Sequence, residues 1–195
     1  MKLVVASNNA KKRTEIATIV GALGIELIAP SDTQFIDVIE DSPTFSGNAR
    51  KKAEAFADAN GLPALADDSG LCVDALDGAP GIYSARFAGP DACDADNNRK
   101  LVAEMAGQAN RSARFRCAIH LAFPDREQSF SAEGEVQGDI LTQAAGAGGF
   151  GYDPLFFCPE LGKVFAECTA EEKASVSHRG RALRTLAEQL KNRQS

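Results

Sequence analysis

The stretch Ala64-Leu65-Ala66-Asp67-Asp68-Ser69-Gly70-Leu71-Cys72-Val73-Asp74 constrains this chain more than any other. Two apolar runs flank adjacent carboxylates, and such runs read as buried strands. On this reading the acidic pair sits at a strand end, where a turn presents it to a cleft. Neighbouring carboxylates repel unless a cation or a proton lies between them. An Asp-rich turn capping a strand accounts for the same residues without any chemistry. The stretch alone leaves both readings open.

The chain's bulk properties narrow the classes. Its 195 residues make one domain, 1–195, or one domain with two lobes, long enough to bury a core. A composition of 44% hydrophobic and 25% charged residues is that of a soluble globular protein. The net charge of −6 argues against a nucleic acid polymer held over a broad basic surface. It leaves room for a single nucleotide, which needs only a local cluster of donors. No apolar run approaches a membrane span, and Met1-Lys2-Leu3-Val4-Val5-Ala6-Ser7 turns polar too soon for a signal peptide. The five cysteines (Cys72, Cys93, Cys117, Cys158, Cys168) show no C-x-x-C spacing. Neither a disulfide framework nor a zinc site follows, and a reducing cytoplasm is the expected compartment.

Strands and helices can be read along the chain in order. Lys2 to Ala6 is a strand, followed by Ser7-Asn8-Asn9-Ala10-Lys11-Lys12 and a helix. That helix carries Ile16, Ile19, Val20 and Leu23 on one stripe and stops at Gly24. Ile25 to Ala29 is a second strand. Thr44 caps a helix running to about Asn60, with Gly61 as its stop. Glu40-Asp41 precede that helix, and Asn48 is expected as a solvated amide one turn in. Asp94 to Met105 is a helix with Leu101, Val102 and Met105 inward. Ala113 to Phe123 alternates, with Arg114, Arg116 and His120 on the solvent side, and pairs with Gln128 to Gly138 as a hairpin. Thr169 caps a turn from Ala170 to Lys173. Ser177-His178-Arg179 opens a last helix with Leu183, Leu186 and Leu190 inward.

Several turns offer donors to an anion. Ser, Asn and Lys residues at the first helix N-terminus form a ready anion site, though without the P-loop spacing. A plain capping turn with solvated lysines fits as well. Gly146, Gly148 and Gly151 match G-x-G-x-x-G, but Tyr152-Asp153-Pro154 follow where that fingerprint requires a helix. The glycines either let backbone approach a ligand, with Phe150 or Tyr152 as a stacking face, or form a plain Gly-rich surface loop, against which the aromatic residues inside the run count. Lys173, His178 and Arg179 crowd a helix N-terminus, where basic residues oppose the macrodipole unless an anion offsets them.

Taken in order, the motifs are identifiable. They are Ser7-Asn8-Asn9-Ala10-Lys11-Lys12, Glu40 before Thr44-Phe45, Asn48-Ala49, Ala66-Asp67-Asp68-Ser69-Gly70-Leu71, Pro80-Gly81-Ile82-Tyr83-Ser84-Ala85-Arg86, Gly149-Phe150-Gly151-Tyr152-Asp153-Pro154 and Ser177-His178-Arg179. The ordered set resembles the inosine triphosphate pyrophosphatase family, the bacterial dITP/XTP pyrophosphatases, over nearly the whole chain. Glu40-Asp41-Ser42-Pro43 departs from the family's usual Glu-Thr-Gly, and Lys11 stands where a small residue is more usual. Lys12 holds the family's lysine position.

The resemblance implies an α/β fold with a long mixed central sheet flanked by helices, and two lobes with the active-site cleft between them. It implies a homodimer and a Mg2+-dependent hydrolysis of purine nucleoside triphosphates to monophosphate and pyrophosphate. Glu40, Asp67 and Asp68 can supply oxygen ligands to magnesium, and by resemblance Asp68 is the base. Lys12 and the Ser7-Asn8-Asn9-Ala10-Lys11 turn would hold phosphates, with Ser69 at the same end. Phe150, Gly151, Tyr152 and Asp153 would form the base-stacking loop, and Lys173, His178 and Arg179 would donate to the base. A Maf-like nucleotide pyrophosphatase and a nucleotide-binding regulatory module without turnover are the alternatives. The latter has no use for three acids facing a phosphate site, since they would repel the ligand without a metal.

Overall fold

Strand β3 runs unbroken over Ala64–Val73. Asp67 and Asp68 are therefore the fourth and fifth of its ten residues, and no turn separates the two apolar runs. The expectation of a strand end is corrected, and the reason is burial. All residues from Ala64 to Asp68 are buried, so their backbone groups need ladder partners, which a turn would not supply.

The computed structural model describes residues 2–21 and 24–193. In chain order the remaining elements are β1 (Lys2–Val5), α1 (Ala10–Gly21), β2 (Glu26–Leu27), α2 (Phe45–Asn60), α3 (Asp94–Glu104), β4 (Ser112–Ala122), β5 (Ser129–Ile140), β6 (Phe156–Cys158), β7 (Lys163–Val164), α4 (Ala170–Val176) and α5 (His178–Arg193). Among the described residues the strands form one seven-stranded open sheet in the order β2-β1-β3-β4-β5-β6-β7. It is mixed. β1 pairs in parallel with β2 and β3, whereas β6 pairs antiparallel with β5 and β7. The α/β fold with a mixed sheet and flanking helices is as expected.

The chain divides into two compact units. One comprises Met1–Asp68, Cys117–Gly134 and Arg179–Ser195, and the other Ser69–Arg116 and Glu135–His178. In the first unit, strand alternation decides which helix each side chain meets. Leu3, Leu65 and Leu121 pack with Ile16 and Val20 of α1 and with Leu183 and Leu186 of α5. Their neighbours Val4, Ala64, Ala66 and Ala122 point the other way, onto Ala53, Phe56 and Ala57 of α2. The strands of this unit are thus covered on both faces, as a parallel pair with its crossover helix requires. In the second unit Leu71, Val73, Phe115, Val136, Ile140, Phe156 and Phe165 form the core with Leu101 and Met105 of α3.

Local signals set most boundaries. The Thr44 hydroxyl accepts from Gly47 N at 3.1 Å, and Gly61 ends α2 in the left-handed region at φ 61°. Thr169 and Glu172 form a capping box on α4, which runs three residues beyond the expected Lys173. In α1, Ile16 and Val20 are buried and Ile19 is half-buried, while Leu23 lies outside the described residues. The second strand is shorter than the expected Ile25 to Ala29, because only Glu26 and Leu27 find ladder partners on β1. His120 is not on a solvent face. It is buried with its Nδ1 2.8 Å from the Ser131 hydroxyl, because this half of β4 is covered on both sides.

Candidate functional site

Adjacent residues of a strand face opposite ways, so the two acids of β3 serve two different environments. Asp67 shares the face of Leu65, toward α1 and α5. Arg179, the second residue of α5, donates to Asp67 Oδ2 from Nη2 at 2.9 Å and from Nε at 3.2 Å. Its Nη1 donates to Glu15 of α1. Lys12 of α1 places Nζ 3.3 Å from the same Asp67 oxygen. Asp67 and Arg179 are each 1% exposed. Burial alone would raise the Asp67 pKa, but Lys12 and Arg179 outweigh it and hold the carboxyl well below the usual range. Asp67 keeps the Arg179 guanidinium above its ordinary value against the opposing effect of burial.

Asp68 shares the face of Ala64 and Ala66, toward α2. The Asn48 amide donates to Asp68 Oδ2 at 3.0 Å, and its Oδ1 accepts from Ser42 N at 2.9 Å. Asn48 is 1% exposed, so the expectation of a solvated amide is corrected. The reason is its place on the inward stripe of α2 with Ala49 and Ala53. One turn further, Lys52 places Nζ 3.0 Å from Glu40 Oε1 and 4.0 Å from Asp68 Oδ1. Burial pushes the Asp68 carboxyl up, and Lys52, Lys12 and the Asn48 hydrogen bond offset this only in part. A buried carboxyl with a raised pKa and a fixed amide partner is suited to accept a proton.

The expected ligand triad is not assembled. Among the described residues no group of three or more His, Cys, Asp or Glu side chains is arranged to hold a metal ion. Asp67 faces Arg179 and Lys12, which leaves Glu40 and Asp68 around the Lys52 ammonium. A position between two carboxylates that already holds a cationic group fits a hard cation. Magnesium needs only one or two carboxylates when phosphate oxygens and water complete its shell.

At the start of α1, the Asn9 side chain caps the helix by accepting from Lys12 N at 3.1 Å. Ser7 Oγ accepts from Asn9 N at 3.2 Å. Asn8, Asn9, Ala10 and Lys11 are exposed.

In the second unit Ser69 continues β3, half-buried. The loop from Gly149 to Asp153 closes on itself. Asp153 Oδ2 accepts from Phe150 N at 2.8 Å, and Asp153 N donates to Phe150 O at 3.2 Å. Gly149 has φ 73°, and a Cβ there would lie 2.3 Å from Asp153 Oδ2, so only glycine fits. Lys173 of α4 donates to Asp153 Oδ2 at 2.6 Å and lies 4.7 Å from the Phe150 ring centroid. Tyr152 is not a stacking face. It is 4% exposed within the core, and its hydroxyl donates to Ser84 O at 2.9 Å. His178 is buried with its ring stacked on Phe115 at 4.9 Å.

Arg179 directs Nε, Nη1 and Nη2 to Asp67 and Glu15. Protein carboxylates thus offset basic residues of this segment, Asp67 for Arg179 and Asp153 for Lys173. Sequence reasoning missed Glu15 and Lys52. Both had a signal, since Glu15 follows Lys12 by three residues and Lys52 follows Asn48 by four, the spacings that share a helix face.

An open mixed sheet that carries buried carboxylates beside lysine ammonium groups is an α/β arrangement chemically suited to a phosphate-bearing ligand. The comparisons narrow it further. The model of the Ham1 family matches residues 3–189. A dITP/XTP pyrophosphatase of Aromatoleum aromaticum is 50% identical over 97% of this chain and 96% of its own. One from Shigella flexneri is 45% identical over 98% of both. Among solved structures, the Ham1 protein of Staphylococcus aureus superposes with a TM-score of 0.87 at 39% identity, covering 99% of this chain and 100% of its own. A HAM1 protein from Coxiella burnetii gives 0.88 at 38% identity, covering 98% and 99%. The chain belongs to the Ham1 family, as the ordered motifs led us to expect. Among the described residues no helix is long and apolar enough to cross a membrane.

Proposed function

We propose that this protein is a Mg2+-dependent nucleoside-triphosphate diphosphatase. It hydrolyses the non-standard purine nucleotides ITP, dITP and XTP to the monophosphate and pyrophosphate and so clears them from the nucleotide pool. The observation that carries this is Asp68, a buried carboxyl of raised pKa held by Asn48 beside Glu40 and Lys52. Relatives named dITP/XTP pyrophosphatase, at 45% and 50% identity over nearly the whole chain, support it.

In this reading water attacks the α-phosphorus. The new bond is from water oxygen to phosphorus, the bond to the bridging oxygen breaks, and pyrophosphate leaves. Asp68 takes the proton of the attacking water. Glu40 and Asp68 would hold the magnesium ion, which when bound would neutralise charge on the triphosphate. Lys12 and the turn Ser7 to Lys11, with Ser69, bind the phosphates. Arg179 is reassigned as the residue that keeps Asp67 ionised and in place. Phe150 stacks on the base, in the loop that runs on through Gly151, Tyr152 and Asp153, and Lys173 and His178 donate to the base.

An ammonium can only donate, so Lys173 suits the 6-oxygen of hypoxanthine or xanthine and conflicts with the 6-amino group of adenine. Guanine has the same oxygen, so its rejection rests on the 2-amino group and is weaker. The test is a panel of ITP, XTP, GTP and ATP with magnesium, scored by kcat/KM and by product. ITP and XTP should lead, GTP follow, and ATP trail by up to about 10⁴–10⁵-fold, as hydrogen-bond readout allows. Equal use of ATP and ITP, or orthophosphate and diphosphate as first products, would overturn the reading. A homodimer belongs to the same proposal and is read by sedimentation. So does a cytoplasmic location.

A further inference from the structure

We propose that Asp94 and Asn98 of α3 are positioning residues for the Phe150 loop, and that they thereby set recognition of the purine base. This rests on the base-stacking role given to Phe150 above. Asp94 Oδ2 accepts from Gly151 N at 2.8 Å, and Asn98 Nδ2 donates to Gly151 O at 2.9 Å. The two side chains are four residues apart and so share one helix face. They take hold of both polar groups of a single residue, one position from the stacking ring. Gly151 O can only accept, which fixes the Asn98 amide with its nitrogen toward the loop.

Gly151 sits at φ 59°, and a Cβ built there would meet nothing within 4 Å. Packing against a side chain at residue 151 therefore does not locate this part of the loop. The two hydrogen bonds to α3 do. The rest of the loop is anchored differently: Gly149 is confined by Asp153, and Tyr152 is buried and bonded to Ser84 O. Between these anchors Asp153 holds the N–H and C=O of Phe150, and α3 holds those of Gly151, so the α3 contacts complete the restraint on the Phe150 ring.

Asp94 has an ordinary alternative use. It is an exposed acid in the first turn of a helix, where the dipole favours negative charge. That use needs no partner in the loop. Asp94 nevertheless bonds to a residue 57 positions away, and Asn98 to the same residue 53 positions away. The functional consequence is a clamp that presents the Phe150 ring ready-placed. A purine then need not order the loop when it binds, and such preorganisation favours affinity.

Asp94→Ala, Asn98→Ala and Asp94→Asn separate this from a plain structural brace. Base–aromatic stacking contributes roughly tenfold, up to about a hundredfold, to affinity. Asn98→Ala and Asp94→Ala should each raise KM for ITP by about tenfold while changing kcat far less. The ratio of kcat/KM for ITP to that for methyl triphosphate, which has no base, should fall by a similar factor. Asp94→Asn retains an oxygen acceptor for Gly151 N and should recover most of the loss. Equal losses on both substrates, or unchanged KM for ITP in folded variants, would overturn the clamp. Calorimetric binding of IMP, run alongside, keeps the two ideas apart. If the unmodified protein released no pyrophosphate from ITP but Asn98→Ala still weakened IMP binding tenfold, the proposed reaction would fall and the clamp would stand. If IMP binding did not change, the clamp would fall.

Discussion

Arg179→Met tests the electrostatic frame of the first unit. The substitution keeps an apolar stem of similar length and deletes the two N–H groups on Asp67 Oδ2, at 2.9 and 3.2 Å, together with the bond to Glu15. Asp67 is then left buried with Lys12, at 3.3 Å, as its nearest cation. Removing one partner of a buried, hydrogen-bonded ion pair destabilises by about 3–5 kcal/mol, because the other charge stays behind without compensation. Against a total stability of roughly 5–15 kcal/mol this is a large share. With a urea m-value of about 2 kcal/mol per molar, the midpoint should fall by about 1.5–2.5 M at pH 7.

The pH dependence provides a second reading of the same cause. In the unmodified protein the folded pKa of Asp67 lies below its unfolded value. Its contribution is therefore present above the ordinary carboxylate range and is lost as the pH falls toward the folded pKa. In Arg179→Met the effect of burial, which raises the pKa, is still opposed by Lys12 and Lys52 but no longer by the guanidinium. Protonating Asp67 then relieves the buried charge, so the deficit should narrow as the pH falls toward the carboxylate range. The double variant Arg179→Met, Asp67→Asn should lose less stability than Arg179→Met alone. A single-variant loss under about 1 kcal/mol, or a double variant weaker than the single, would refute the reasoning.

Three other outcomes follow from the same geometry. Asp68→Asn should fold normally and lose about 10²–10⁴-fold in kcat, since the amide cannot take a proton; more than a tenth of the activity retained would remove Asp68 as the base. Because the Asn48 hydrogen bond favours the charged form of Asp68, Asn48→Ala should move the acid limb of the kcat/KM profile to higher pH, and a limb shifted downward would contradict that assignment. Gly149→Ala should weaken binding of ITP with little loss of kcat, because its Cβ collides with the Asp153 carboxylate that holds Phe150 N and Lys173. Equal KM values for Gly149→Ala and the unmodified protein would show that the loop tolerates the intrusion.

Much of this molecule was legible in its sequence. Thr44 and Gly61 bracket α2, Thr169 with Glu172 opens α4, and the apolar stripes of α1 and α5 lie inward, because caps and periodicity act within a few residues of the chain. The ordered motifs likewise pointed to the family, since each carries its own local residue pattern. What only the tertiary structure decided was partnership between charges. Asp67 and Asp68 were read as one acidic turn, yet uninterrupted pairing of β3 sends them to opposite faces, one to Arg179 and the other to Asn48. Arg179 lies 112 residues beyond Asp67, and no local pattern marks which carboxylate a guanidinium will meet across that distance. The same holds for Lys173 and Asp153, where the loop turns the acid inward before the ammonium can reach it. Burial supplies the physical reason. A charge taken out of water must find its counter-charge in whatever the fold brings alongside, and that choice belongs to the packed chain as a whole.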